Sequence, residues 1–155
     1  MAVGGFDESF FCYIEDVDLG FRLRLIGEKC QFDPACHVQH AGSAIAGGDS
    51  SFTIFHSTRN TVWTVLKNVP SPLLFVVVPV WAIVTGFLYL KAPKAKRASM
   101  RSGLKMAFSE MMAVLRARRV VQSSRVVATS AVANMISWNL LNQKRLLPDV
   151  RPFSS

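Results

Sequence analysis

The chain has 155 residues, half of them hydrophobic, and a formal net charge of +8 at pH 7. This charge is unevenly distributed, because residues 1–69 carry net −3 and residues 70–155 carry net +11. Phe108 is the only aromatic residue between Lys91 and Arg125, which argues against a nucleic-acid-binding surface. A basic block beside a strongly apolar stretch instead favours contact with anionic lipids, and the difference in composition excludes one soluble core shared by both parts.

An acidic stretch stands out in the N-terminal part. Glu15, Asp16 and Asp18 fall within four positions, directly after the apolar residues 10–14. A helix that begins near Asp16, with Glu15 or Asp16 as its N-cap, would place Asp18 and Arg22 four residues apart, where they can pair. An ion pair between Asp18 and Arg22 does not explain why two further acidic residues, Glu15 and Asp16, stand at the start of the helix. Two adjacent carboxylates at the point where a buried segment ends and a helix begins are typical of catalytic acids and bases.

The next elements follow from turn and periodicity signals. Gly27 is a predicted left-handed C-cap of the acidic helix. Residues 29–32 and residues 35–40 are predicted as short extended segments, and the Gly- and Ser-rich residues 42–51 as a loop. Apolar residues at helical spacing predict a second helix over residues 52–68. This order of elements, without internal repeats, predicts half of an α/β domain.

The C-terminal part has the character of a membrane-associated region. Residues 73–90 carry no charge and, at about 1.5 Å per residue, are just long enough for one crossing. Pro79 favours a broken or re-entrant segment. A single crossing would place residues 1–69 outside the cell. This conflict is relieved if the segment lies in or re-enters the membrane interface, or if residues 120–141 return as a second, weaker hydrophobic segment. Residues 99–121 are predicted to form one amphipathic, cationic helix that lies flat on an anionic membrane or, alternatively, packs on a soluble partner.

Several motifs occur in a fixed order: Gly4-Gly5-Phe6-Asp7-Glu8, Phe10-Phe11, Glu15-Asp16-x-Asp18-Leu19-x-x-Arg22, Gly27, Pro34-Ala35, His40, Arg59-Asn60 and Lys67-Asn68-x-Pro70. In this order and spacing they resemble the C-terminal half of a GT-A family 2 glycosyltransferase, of the bacterial rhamnosyltransferase-like type that builds cell-surface polysaccharide. The resemblance implies an α/β fold, a partial GT-A domain on the acceptor side over residues 1–69. Membrane-associated helices over residues 70–147 and a tail over residues 148–155 would follow.

The resemblance also implies catalytic and metal-binding roles. Asp16, the second acid of the pair, corresponds to the general base that deprotonates the acceptor hydroxyl in an inverting direct displacement. Glu15 beside it would raise the affinity of the pair for a proton. His40 corresponds to a histidine that completes the shell of a divalent metal, Mg or Mn, on the donor diphosphate. A purely structural His40 is the alternative.

The resemblance assigns four further residues to substrate binding. Two more residues are assigned a structural role. Gly4 and Gly5 would border the acceptor pocket together with Asp7, and Arg59 would face the diphosphate of the donor. Asp18 and Arg22 are better explained as the pair that holds the helix.

The N-terminal half of the family's fold, with its nucleotide-binding strands and its metal-binding Asp-x-Asp, has no counterpart in this sequence. The expectation is therefore an incomplete transferase, inactive alone, that works with a nucleotide-sugar donor held by a longer protein or a separate chain. It would move a sugar, with rhamnose the candidate, to a lipid-linked or polysaccharide acceptor on the cytoplasmic face of the bacterial inner membrane. Three cysteines at irregular spacing agree with a reducing compartment. The competing class is a non-enzymatic membrane-associated remnant or interaction protein.

Overall fold

The computed structural model describes residues 3–31, 33–36 and 50–136. Within these ranges the chain forms six α-helices, one short 3-10 turn and no β-strand. The elements are the 3-10 turn Glu8–Phe10 and the helices α1 (Glu15–Leu25), α2 (Ser51–Asn68), α3 (Ser71–Lys91), α4 (Lys94–Ser109), α5 (Met111–Ser123) and α6 (Thr129–Met135).

The predicted α/β fold is wrong, because the described part of the chain is helical. Residues 29–31 were expected to be extended in a sheet, but they run as irregular, exposed chain. Ala35 and Cys36 belong to a turn, and the other residues of the two predicted strands lie outside the described ranges. A strand needs a neighbouring strand to satisfy its backbone hydrogen bonds, and the described helices provide no such edge. A short apolar segment alone does not reveal whether that neighbour exists.

The boundaries of α1 are partly as predicted. Its N-cap residue is Ile14, with a left-handed φ of 69°, so the prediction of an acidic N-cap is wrong and Glu15 is the first helical residue. Gly27 follows the last turn with a φ of +87°, and the backbone N–H of Glu28 donates to the carbonyl oxygen of Leu23 at 3.0 Å. The predicted glycine cap is therefore confirmed.

Helix α2 is the element on which the others pack. Trp63 Nε1 donates to the carbonyl oxygen of Ala107 in α4, and Gln122 Nε2 of α5 donates to the carbonyl oxygen of Asn68 at 2.8 Å. Helices α4 and α5 therefore run one after the other in the same direction as α2. These contacts cross the predicted boundary at residue 69, and the division into two parts stays a prediction. The core joins Phe10, Val62 and Trp63 from residues 1–69 with Ala107 and Val114 from the later part. The expectation that the two parts do not share a core is therefore wrong, because the inward sides of α4 and α5 are apolar although their outer sides are basic.

The region over residues 99–121 differs from its prediction. It forms two helices that meet at Glu110 instead of one continuous amphipathic helix. The side of α4 that packs inward carries mostly small residues, and Leu104 packs partly against the core. Phe108 and Met112 are exposed. The buried residues of α4 are Ser99, Met100, Gly103 and Ala107.

Gly103 allows α4 to approach α2 closely. A Cβ atom at this position would lie 2.6 Å from the carbonyl oxygen of Phe55 and 3.0 Å from Cβ of Thr58. We expect Gly103→Ala to lower the free energy of unfolding by about 1–3 kcal/mol, the usual cost of overpacking, in urea denaturation. Gly20→Ala is the matched control, because a Cβ there would meet nothing within 4 Å. Equal stability of the two variants would show that the close approach is not needed.

Helix α3 is strongly apolar and continues through Pro79, so the predicted break at this proline is wrong. Pro79 lies on the exposed side of the helix, where the missing hydrogen bond does not disturb packing against a neighbour. In the described ranges α3 is the one helix whose length and composition would allow a membrane crossing. None of its residues is fully buried.

Candidate active site

Glu15 and Asp16 are the first two residues of α1. Asp16 is exposed, and its Oδ1 accepts a hydrogen bond from the backbone N–H of Val17 at 2.8 Å. Glu15 is half-buried, and its Oε2 has no hydrogen-bond partner among the described residues. Carboxylates in the first turn are stabilised by the positive end of the helix dipole. The exposed Asp16 carboxylate is also open to an approaching hydroxyl group, as a general base must be.

The segment before this carboxylate pair has an unusual backbone. Phe11, Tyr13 and Ile14 have φ angles of 62°, 65° and 69°. Positive φ is uncommon for residues other than glycine, and such conformations persist only where the surrounding structure enforces them. Such backbone conformations cluster at binding and catalytic sites. The two carboxylates that follow this segment are therefore candidate functional groups.

Two neighbouring side chains of α2 enforce this conformation. Asn60 is fully buried, and its Nδ2 lies 2.8–3.0 Å from the carbonyl oxygens of Phe10, Cys12 and Tyr13. Arg59 Nη2 donates to the carbonyl oxygen of Phe10 at 2.8 Å, and Arg59 Nε donates to Asn60 Oδ1 at 2.9 Å. The pair fixes the path by which the chain enters α1. The sequence contained the Arg59-Asn60 motif, but no role for Asn60 was predicted from it.

Arg59 makes contacts that stabilise the fold. The guanidinium carbon lies 4.4 Å from the centre of the Trp63 ring, and the residue is buried. Burial lowers the pKa of Arg59, and the negative charge of Glu110 partly opposes this. The predicted contact of Arg59 with a donor diphosphate stays a prediction.

Two other reactive side chains near the segment are held in neutral forms. Burial and the negative charge of Glu15 raise the pKa of the Cys12 thiol, and Arg59 only partly opposes this, so the thiolate needed for a nucleophile is disfavoured. Burial and the positive charge of Arg59 lower the pKa of His56. The His56 ring lies 4.5 Å from the ring of Phe52, centre to centre. This environment favours a packing role for His56.

A buried network of charges joins α1 to the end of α2. Asp18 is completely buried, and its Oδ2 accepts from Arg22 Nε at 2.8 Å. Its Oδ1 accepts from Lys67 Nζ at 2.9 Å and from Asn68 Nδ2 at 2.8 Å. Lys67 Nζ also forms an ion pair with Asp7. Two acids and two bases thus balance in charge, and the sequence prediction included the Asp18–Arg22 pair but missed Lys67 and Asn68.

The predicted substrate-binding residues Gly4, Gly5 and Asp7 lie together at this network. They line a cleft of about 500 Å³ with Arg22 and Lys67. Gly4 and Gly5 have φ angles of 76° and 81°, and Arg22 Nη2 donates to the carbonyl oxygen of Gly5 at 2.7 Å. Burial raises the pKa of Asp7, but the hydrogen bonds from Lys67 and Ser9 and the positive charge of Lys67 together outweigh it, so the pKa lies below its ordinary value. Glu15 and Asp16 are not among the residues lining this cleft.

The predicted metal ligand His40 lies outside the described residues. Within the described ranges no group of three or more His, Cys, Asp or Glu side chains is placed to hold a metal ion. Asp18 is unsuitable, because both of its oxygens already accept from nitrogen donors. The described residues do not form a metal site by themselves, and metal binding by His40 stays a prediction.

Sequence comparison finds similarity to enzymes that transfer rhamnose. Over 70 residues the chain is 39% identical to N-acetylglucosaminyl-diphospho-decaprenol L-rhamnosyltransferase of Mycobacterium tuberculosis, a match that covers 39% of this chain and 23% of that protein. Over 38 residues it is 47% identical to the rhamnosyltransferase WbbL of Escherichia coli K12, covering 24% of this chain and 14% of that protein. The chain is similar to rhamnosyltransferases over this stretch.

The similarity is limited in extent. The matched part spans less than a quarter of the length of these relatives. No family model and no solved structure matches the chain. The comparisons therefore show a glycosyltransferase-like stretch, and the activity of a whole transferase is a matter for proposal.

Proposed function

We propose that this chain forms part of an inverting glycosyltransferase in which Asp16 is the general base. Asp16 takes the proton of an acceptor hydroxyl as its oxygen attacks the anomeric carbon of a nucleotide sugar. The new carbon–oxygen bond forms while the bond to the diphosphate breaks, and the nucleoside diphosphate leaves with the bonding electrons. The observation that carries this proposal is the exposed Asp16 at the start of α1, behind a strained segment held by Asn60 and Arg59.

The substrates follow from the similarity to rhamnosyltransferases. One relative is named for transfer of L-rhamnose to an N-acetylglucosaminyl-diphospho lipid. For this chain we propose the same class of acceptor, a saccharide linked to a lipid diphosphate, with rhamnose as the sugar. A lipid-linked acceptor places the reaction at a membrane, for which we propose the cytoplasmic face of the bacterial inner membrane.

The donor side of the reaction is proposed to lie outside this chain. The similarity covers less than a quarter of the rhamnosyltransferases, and we propose that the nucleotide sugar with its divalent cation is bound mainly by a longer form of the protein or by a separate chain. His40 would contribute to that metal shell. The 155-residue chain, incubated alone with nucleotide sugar and lipid-linked acceptor, is expected to give no product, and turnover would refute the need for a second part.

A chimera tests the catalytic role directly. The matched segment of the mycobacterial relative is replaced by the corresponding segment of this chain, and transfer to the lipid-linked acceptor is measured. We expect the chimera to transfer sugar, whereas the relative without the segment does not. A chimera that folds and reaches the membrane like its parent, yet transfers nothing, would favour a non-enzymatic membrane-associated protein.

A further inference from the structure

Helix α3 approaches the packed helices α2, α4 and α5 at its start, in its middle and at its end. At its start, Ser71 Oγ accepts from Arg118 Nη2 of α5 at 2.9 Å. In its middle, Trp81 packs against the core cluster. At its end, Lys91 lines a cleft with Thr53 from the first half of α2. The helix therefore returns antiparallel to α2 instead of projecting away from the fold.

The other side of α3 is exposed and apolar. Exposed positions recur every three or four residues from Phe75 to Leu90, and the residues between them are mostly half-buried. At about 1.5 Å per residue this stripe is about 22 Å long. We call it the α3 strip, and it includes Phe75, Val76, Pro79, Ile83, Phe87 and Leu90.

A perpendicular crossing does not suit this arrangement. Because α2 and α4 lie alongside α3 and have similar lengths, a bilayer crossed by α3 would also surround them. Arg101 and Lys105 are exposed on α4 and would then enter the hydrocarbon region. Charged side chains at that depth are costly. A helix lying in the interface, with its apolar side in the acyl boundary and the rest in water, avoids this cost.

The charges near the helix ends agree with an interfacial position. Lys91 and Lys94 are exposed at the end of α3, and Arg119 is exposed beside its start, in a cleft that it shares with Pro72. Cations at both ends fit a helix whose two ends meet the same layer of anionic headgroups. A helix that crosses places its ends in opposite layers.

We propose that α3 lies in the plane of an anionic membrane surface, with the α3 strip in the acyl boundary and both helix ends on the same side. This goes beyond the proposed function, which places the reaction at a membrane but does not specify how the chain is attached. The position of α3 in the membrane is measured without an assay of sugar transfer. Either proposal can therefore be refuted while the other stands.

Cysteine labelling tests the topology. Pro72→Cys, in the first turn of α3, and Ala95→Cys, shortly after its end in α4, are introduced one at a time at exposed positions, with Cys12, Cys30 and Cys36 replaced by Ser. A membrane-impermeant maleimide is applied to spheroplasts and to inside-out vesicles. We expect both positions to react in inside-out vesicles and neither in spheroplasts. Reaction of one position in each preparation would show a crossing and overturn the proposal.

Depth measurements separate an in-plane helix from a re-entrant one. Nitroxide labels at Phe75, Ile83 and Leu90, bound to vesicles of phosphatidylglycerol and phosphatidylethanolamine, should report similar shallow depths. A label at Ile83 that is much deeper than the other two would indicate re-entry. A chain that stays in solution with these vesicles, as a monomer or as a dimer that covers the strip, would also overturn the proposal.

The strip itself is tested by substitution. Replacing Phe75 and Phe87 by Glu should weaken binding to the anionic vesicles at least about tenfold, since two aromatic side chains no longer leave water. Phe6→Glu is the matched control, because Phe6 is also exposed but lies outside α3. Equal binding of the two variants would contradict the role of the strip. Binding should also be weaker on vesicles of neutral phosphatidylcholine.

Discussion

Asp16→Asn in the sugar-transferring chimera is expected to lower the rate of transfer about 10²- to 10⁴-fold, the usual contribution of a general base. The amide oxygen of Asn can still accept from the Val17 N–H, so the start of α1 is preserved while the proton acceptor is lost. Because the interaction with the acceptor proton develops in the transition state, kcat and kcat/KM should fall together. Transfer of labelled sugar to the lipid-linked acceptor measures both constants.

Asp33→Asn is the matched control for this experiment. Asp33 is also exposed and also accepts a backbone N–H locally, from Ala35 at 2.9 Å, but it lies outside α1. Its substitution should leave the rate unchanged. A transfer rate for Asp16→Asn equal to that of the control would remove Asp16 from the mechanism. A loss found for Glu15→Gln instead would assign the base to Glu15.

Asp18→Ala is expected to lower the free energy of unfolding by about 3–5 kcal/mol, the cost of breaking a buried ion pair by removing one partner. Arg22 would lose the carboxylate bonded to its Nε, and Lys67 would keep Asp7 but lose Asp18 as an anionic partner. Both cations lie in surroundings with little access to water, so solvent cannot replace the lost partner. Urea denaturation followed by circular dichroism measures the change.

Asp16→Ala serves as the comparison, since it removes an exposed carboxylate from the same helix two positions earlier. Surface substitutions of this kind usually change stability by no more than about 0.5 kcal/mol. Asp18→Asn adds a further distinction, because it keeps the shape of the side chain and removes its charge. If Asp18→Ala were as stable as Asp16→Ala, the network around Asp18 would not hold α1 to α2.

The features that sequence predicted well are local ones. The left-handed Gly27 cap and the long helix that became α2 depend on residues a few positions apart, and such signals survive in most folds. The α/β fold was wrong because a strand depends on its neighbour, which the apolar pattern of residues 29–32 does not reveal. Pro79 was read as a break, although a helix whose other side packs against the fold can accommodate it.

The environment of the carboxylates could not be predicted in the same way. Asn60 reaches backbone oxygens 47–50 positions earlier in the chain, and Lys67 reaches an acid 60 positions earlier. Which polar side chain meets which carbonyl at that separation depends on the packing of the helices, and no short motif encodes it. The roles given to Asp16, Glu15 and His40 came from resemblance and stay predictions.

The hydrogen bonds from Asn60 to the segment before α1 also bear on the order in which the parts of this protein can fold. Helix α2 packs on α4 and α5, so its position is fixed only after residues more than forty positions downstream have been made. Contacts between distant residues form slowly, because a long loop must close first. The segment that carries the carboxylates is therefore synthesised first but acquires its conformation late. Its observed conformation needs α2, which supplies Asn60 and Arg59, to be made and positioned first.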